Sequence, residues 1–240
     1  MRRFGWWVSA AGCVMVLAAC GGGGAEDEGT PVVPTVQVNG VVARGGALVE
    51  AKVTARCTAG PVVTAVSGSS GAYTMELGED AFPCVLEAVS SDGQWRLHSV
   101  LPPLARTAHI TPLTELMVAQ LAGVAPSNFM TRAQSNARLL GATITAGNLS
   151  SAQAAVARVL QVMGVDPAPI GDALTQPLVA ASAVQRGNLH DKVLVALTTA
   201  MAGAGADMAD LVGLVTSRSR TLVQSPETES AQPSPALQIH

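Results

Sequence analysis

The chain has 240 residues with 14 basic and 17 acidic side chains, a formal charge of −3 at pH 7. That length allows one large domain or two small ones, and the lack of a basic stripe argues against nucleic acid as a partner. Aromatics make up only 3%, which argues against a groove that recognises sugars or peptides by stacking.

The first element is a leader. Met1-Arg2-Arg3 is a short positive segment, Phe4 to Leu17 is mostly apolar, and Leu17-Ala18-Ala19-Cys20 places small residues at a cleavage point. This is the layout of a secretory signal over residues 1–19, and its apolar run is shorter than the ~20 residues a spanning helix needs. Leu-Ala-Ala-Cys resembles the lipobox of bacterial lipoproteins. The resemblance implies that Cys20 receives a thioether-linked diacylglycerol, that cleavage follows Ala19, and that the new amino group is acylated with a palmitate-type chain. Each buried methylene contributes about 0.8 kcal/mol, so several chains hold a protein firmly. Gly rather than Asp after the cysteine implies sorting to the outer membrane, with the protein facing the periplasm or the exterior. Loss of Arg2 and Arg3 with the leader makes the mature chain more acidic.

Residues 20–35 begin with Gly21 to Gly24 and continue through Ala25-Glu26-Asp27-Glu28-Gly29. Such a composition builds no core and reads as a flexible, solvated tether. Of the cysteines beyond the leader and Cys20, only Cys57 and Cys84 remain. An even pair in an exported, oxidising setting reads as a disulfide, and a metal pair would lack further ligands at suitable spacing.

Residues 36–106 are rich in valine and threonine, with turn residues at short intervals. "TVQVNGVVA", "AKVTARC", "VVTAVS", "AYTMEL", "CVLEAVS" and "WRLHSVL" are six short, largely alternating runs. Ala51, Val53, Ala55 and Cys57 share one face of the second. Gly68-Ser69-Ser70-Gly71 and Ser91-Asp92-Gly93 supply turns. The pattern predicts an antiparallel β-sandwich. Gly40-Val41-Val42, the Gly45-Gly46-Ala47-Leu48 turn, Ala51-Lys52-Val53 and Gly71-Ala72-Tyr73-Thr74-Met75 resemble the carboxypeptidase regulatory-like, transthyretin-like (prealbumin-like) sandwich over some 65–70 residues. Ser70 stands where that family usually has Asn or Asp, and Glu79 to Cys84 replaces its short Pro-Gly-Tyr turn. The resemblance implies a noncatalytic spacer or binding module.

Residues 107–223 change to a helical period. Thr111-Pro112 is a hydroxyl cap before a proline at the first helical position, and the predicted helix runs "PLTELMVAQLAG". Ser150 and Gln153 have capping-box spacing, followed by a stripe of Val156, Val159, Leu160 and Met163, with Leu149 just before. Asn188 with Asp191 starts a helix bearing Leu189, Val193, Ala196, Leu197, Ala200 and Met201. Asp207 starts another with Met208, Leu211, Val212 and Val215. Segments near 127–140 and 177–186 are also expected to be helical. Such helices are marginal alone and must pack their stripes together. "HITPLTELMVAQLAG" resembles part of a group of uncharacterised proteobacterial lipoproteins in which a helical "ITPLT" region follows such a sandwich. Residues 224–240, rich in Pro, Ser and Glu, read as a disordered tail. The predicted fold class is therefore α+β in two units, an antiparallel sandwich followed by an all-helical domain.

No residue set converges on chemistry. His190 beside Asp191 reads as a solvated first turn, since neighbours in sequence point to different sides of a helix. His98 is placed to meet Glu76 or Glu87 across a sheet. Gly68-Ser69-Ser70-Gly71 lacks the spacing and strand-to-helix context of a serine nucleophile. Glu26 to Glu28 and Glu79-Asp80 lack the ligand alternation of a calcium loop, and no phosphate-binding glycine loop occurs. The expectation is a noncatalytic, membrane-anchored envelope lipoprotein with no cofactor and no metal, acting as an interaction or structural module with an envelope protein partner. A periplasmic carrier with an apolar pocket among its helices is the alternative. The site residues are Cys20 for lipidation and Cys57 with Cys84 for the disulfide.

Overall fold

Alternation of valine and threonine with polar residues generates six strands in the computed structural model, which describes residues 34–223. They are β1 (Thr35–Val41), β2 (Lys52–Cys57), β3 (Val63–Val66), β4 (Ala72–Gly78), β5 (Cys84–Val89) and β6 (Arg96–Leu101). Every pairing is antiparallel: β1 with β4 as one sheet, and a second sheet in the order β3-β2-β5-β6. The leader, Cys20, nearly all of the tether and the tail lie outside the described residues.

Side chains along a strand alternate between faces, and each face of the four-stranded sheet has its own partner. Val53, Ala55, Leu86, Ala88 and Leu97 enter one apolar cluster with Val38, Tyr73, Met75 and Leu77 from β1 and β4. The opposite face carries Val85 and Val100, which join the core of the helices. The segment after β6 is laid along β1, through hydrogen bonds from Ala108 N to Asn39 O (3.0 Å) and from Ile110 N to Val41 O (3.0 Å). Tyr73 Oη donates to Ala108 O at 2.6 Å. Gly40 permits this close approach: a Cβ there would lie 2.0 Å from Ala108 O and 2.5 Å from the Tyr73 ring.

The helices are α1 (Pro112–Ala122), α2 (Pro126–Ser135), α3 (Arg138–Thr143), α4 (Ala146–Val162), α5 (Leu189–Ala204) and α6 (Met208–Val223). Thr111 caps α1 in a full capping box, and Gly123 closes it in the left-handed conformation at φ 62°. Pro112 to Ala119 are all buried, so α1 is enclosed on every side and packs against β6, α4 and α6. Strands and helices therefore share a core. The described residues fall in one compact unit, whereas the sequence pattern suggests two.

Asn188 caps α5 by accepting from Asp191 N at 3.2 Å, and Asp207 accepts from Asp210 N at 2.9 Å ahead of α6, as their spacing predicts. Three expectations are corrected. Helix α4 starts four residues before Ser150, because Thr145 caps it by accepting from Asn148 N. The buried face of α5 is Val193, Leu194, Leu197 and Met201, while Leu189 is 62% exposed. Residues 177–186 are not helical; Asn188 N donates to Val179 O and Ala181 N donates to Asp191 Oδ2, so α5's first turn holds this stretch as an extended wrap. No helix among the described residues is long and apolar enough to cross a membrane.

Candidate functional site

The helix-facing side of the four-stranded sheet sends Val85 and Val100 into the helical core, and beside them a largely polar stretch, with Val62 and Met130 also in the lining, forms an open cleft. Lys52, Thr54 and Arg56 recur at every second position of β2, so they share this face. Thr64 on β3, Glu87 on β5 and Arg96 on β6 complete the floor, and Ser127, Thr131 and Gln134 of α2 form the wall. The cleft holds about 390 Å³. Across it Gln134, with its amide oriented to accept, takes hydrogen bonds from Arg56 Nη2 and Nε at 2.9 and 3.2 Å.

Strand register builds a polar row along this floor. Thr64 stands opposite Thr54, Thr54 opposite Glu87, and Glu87 opposite His98. Glu115 of α1 then closes the row from above: its Oε2 lies 2.9 Å from His98 Nδ1 and accepts the His98 backbone N–H at 2.6 Å. On the other side His98 Nε2 lies 3.4 Å from Glu87 Oε2, an ion-pair distance without hydrogen-bond alignment. Glu87 also pairs with Arg96. The result is a chain of alternating charge, Arg96–Glu87–His98–Glu115, running from the cleft into the joint between sheet and helices.

The electrostatics follow from that geometry. Burial pushes the His98 pKa down, but the hydrogen bond to Glu115 and the contact with Glu87 outweigh it and raise it to about 9. His98 is therefore an imidazolium at neutral pH. Its proximity, opposed by burial and aided by Arg96, lowers the Glu87 carboxyl to about 2. The expected cross-strand contact of His98 is thus with Glu87; Glu76 lies on β4 in the other sheet. Glu115 is the partner that the strand pattern alone does not reveal. Its signal is a lone carboxylate in a helix opening that is otherwise apolar or small and buried throughout.

A second polar cluster lies beneath the wrap at 177–186. His190 and Asp191, read from sequence as a solvated first turn, are 1% and 2% exposed, and His109 is 4% exposed. The rings of His109 and His190 meet edge to face with centroids 5.9 Å apart. His109 Nδ1 accepts the Val41 N–H at 3.2 Å, which fixes a neutral ring with its proton on Nε2. Burial, together with the neighbouring His190, pushes the His109 pKa down to about 4. Burial likewise lowers that of His190. Among the described residues no group of three or more His, Cys, Asp and Glu side chains could hold a metal ion.

Cys57 and Cys84 are directly opposed in the β2–β5 register and form a disulfide. Cys20 lies outside the described residues. Gly68 to Gly71 form the β3–β4 turn, closed by a hydrogen bond from Gly71 N to Gly68 O. Glu79 and Asp80 are exposed. Between α1 and α4 an apolar gap lined by Leu113, Met117, Val156 and Leu160 holds about 30 Å³. A separate cleft of about 350 Å³ opens beside the disulfide, between Thr35 and Glu76 on one side and Cys57 and Val63 on the other.

No protein-family model matches the chain, and no curated protein matches it.

Proposed function

We propose that the chain is a noncatalytic envelope lipoprotein, anchored at Cys20 and sorted to the outer membrane, whose folded unit acts as an interaction or structural module on a short tether. The two facing sheets are read as a prealbumin-like sandwich with helices added on one side. The leader, the Leu-Ala-Ala-Cys sequence and the glycine-rich run after it support the anchor.

The observation that carries the choice between module and carrier is the packing of the helices. A carrier needs an apolar cavity of about 300 Å³ or more. Among the described residues the apolar gap between α1 and α4 holds about 30 Å³, room for little beyond a water molecule, and the cleft of about 350 Å³ beside the disulfide lies at the strands and not among the helices. The polar groups of the sheet instead open outward, in a cleft beside α2, which suits recognition at a surface.

The reading is tested by crosslinking in intact cells, with partners identified by mass spectrometry. A discrete, saturable adduct with an envelope component is expected, lost when Cys20→Ser blocks lipidation and processing. Recovery of a stoichiometric hydrophobic small molecule from the purified protein, with no such adduct, would contradict it in favour of the carrier.

A further inference from the structure

The cleft between the sheet and α2 has a charge that the rest of the chain does not share. The chain is net acidic, yet Lys52, Arg56 and Arg96 line one cleft of about 390 Å³ with a single carboxylate, Glu87. That carboxylate is already matched, by Arg96 on one side and His98 on the other. Among the described residues Lys52 and Arg56 make no ion pair; Arg56 is held only by the neutral amide of Gln134. Two cations are thus left facing the cleft without counter-charge.

The surroundings are suited to the same kind of ligand. Hydroxyls of Thr54, Thr64 and Ser127 line the cleft and can donate hydrogen bonds, whereas that of Thr131, also in the lining, already donates to Ser127 O at 3.0 Å. Helix α2 begins at the cleft with Pro126 and Ser127, and its N-cap residue, Ala125, provides no side-chain cap. The Ala125 carbonyl accepts Asn128 N and Phe129 N at 2.9 and 3.1 Å, so the helix start adds the Ser127 hydroxyl to the cleft and no open row of amides. Lys52 and Arg56 are four residues apart on one strand, about 13 Å between Cα atoms. Their long side chains can grip the two ends of one molecule, and the guanidinium fork can take a carboxylate or phosphate in two parallel hydrogen bonds. The volume lies in the range of small-molecule sites, about 300–1,000 Å³.

We infer that this cleft is a binding site for a small acidic ligand, one bearing carboxylate or phosphate groups, held by Lys52 and Arg56 and by the hydroxyls of β2, β3 and α2. The inference deepens the reading of the protein as an interaction module and rests on it. Arg96 and Glu87 complete the floor on the side of the buried His98, and Gln134 pre-positions the Arg56 fork.

The test is a titration of the purified full chain with glutarate, and in parallel with inorganic phosphate, followed by amide chemical shifts. Saturable shifts at Thr54, Thr64, Ser127 and Thr131 are expected with at least one probe, absent with sodium chloride at equal ionic strength. Lys52→Gln with Arg56→Gln should weaken binding by about tenfold or more, while Arg138→Gln, on α3 outside the cleft, leaves it unchanged. The glutamine variants keep polar side chains on an open strand face; native amide dispersion confirms that they fold, and Arg56→Gln alone serves as the second variant. No saturation by about 10 mM of either probe, shifts reproduced by chloride, or unchanged binding in the folded variants would overturn the inference. Membrane attachment through Cys20 is read separately in the same strains, so failure of the ligand site is distinguishable from failure of the envelope assignment.

Discussion

His98 Nδ1 and Glu115 Oε2 lie 2.9 Å apart, with side chains only 1% and 9% exposed. The same carboxylate oxygen accepts the His98 backbone N–H, and Thr114 Oγ1 donates to His98 O at 2.8 Å. Two consecutive residues in the first turn of α1 thus satisfy three polar atoms of one residue on β6. The joint between sheet and helices is fixed by polar geometry as well as by the apolar core around it.

Removing Glu115 takes away the hydrogen-bonded partner of the buried His98 charge and leaves only its contact with Glu87 at 3.4 Å. Glu115→Gln keeps the shape and loses the charge, and it should lower stability by about 2 kcal/mol, the scale of one hydrogen bond to a charged group. A urea denaturation midpoint at pH 7 checks this, and an unchanged midpoint would show the pair to be energetically neutral.

The histidines divide the pH dependence of stability between them. His98 has a folded pKa raised to about 9, so its contribution is fully present below its unfolded value, about 6.5, and is lost as pH rises through 9. His109, lowered to about 4, binds a proton more readily when unfolded, so it erodes stability as pH falls from about 6.5 toward 4, and His190, also lowered, acts in the same direction. Glu87, near 2, adds a further loss only below about pH 4.5. Denaturation profiles should show a flattened alkaline arm in His98→Gln and a flattened acid arm in His109→Gln. The opposite assignment of arms would contradict a charged His98 and a neutral His109.

Tyr73 Oη donates to Ala108 O inside the core, and burial raises its pKa, so it stays a neutral donor. Tyr73→Phe leaves the carbonyl of Ala108 without this donor and should cost about 1–2 kcal/mol. Thermal or urea denaturation measures it, with amide exchange at Ala108 and Ile110 expected to quicken as the segment after β6 loosens from β1.

The Cys57–Cys84 bond closes a loop with a sequence separation of 27. In the chain-entropy description its removal should cost about 3 kcal/mol. Paired Cys57→Ser and Cys84→Ser substitutions, compared by urea denaturation, test the magnitude. Non-reduced peptide mapping of protein from the envelope tests the bond itself, and two free thiols there would contradict it.

All six strands were legible because one face of each strand is apolar and glycine-bearing turns separate several of them. The starts of α1, α5 and α6 were legible because Thr111, Asn188 and Asp207 cap them locally. What escaped the sequence was decided by distant contacts. Residues 177–186 carry helix-compatible side chains, yet Asn188 and Asp191 recruit their backbone groups into a wrap. Asp191 reads as a surface residue until that wrap covers it. Lys52, Thr54 and Arg56 were visible as the polar face of an alternating strand, but only α2 makes a cleft of them. Glu115 and His98 are 17 residues apart, and no local pattern pairs them.

The most direct test of the central claim, a folded interaction unit held at the envelope by Cys20, is the intact mass of the mature chain recovered from the membrane fraction. The predicted result is a chain beginning at Cys20, with the mass of a thioether-linked diacylglycerol and an N-acyl group, and an uncleaved, unlipidated precursor for Cys20→Ser. A mature chain that starts elsewhere, or one with an unmodified Cys20, would contradict it.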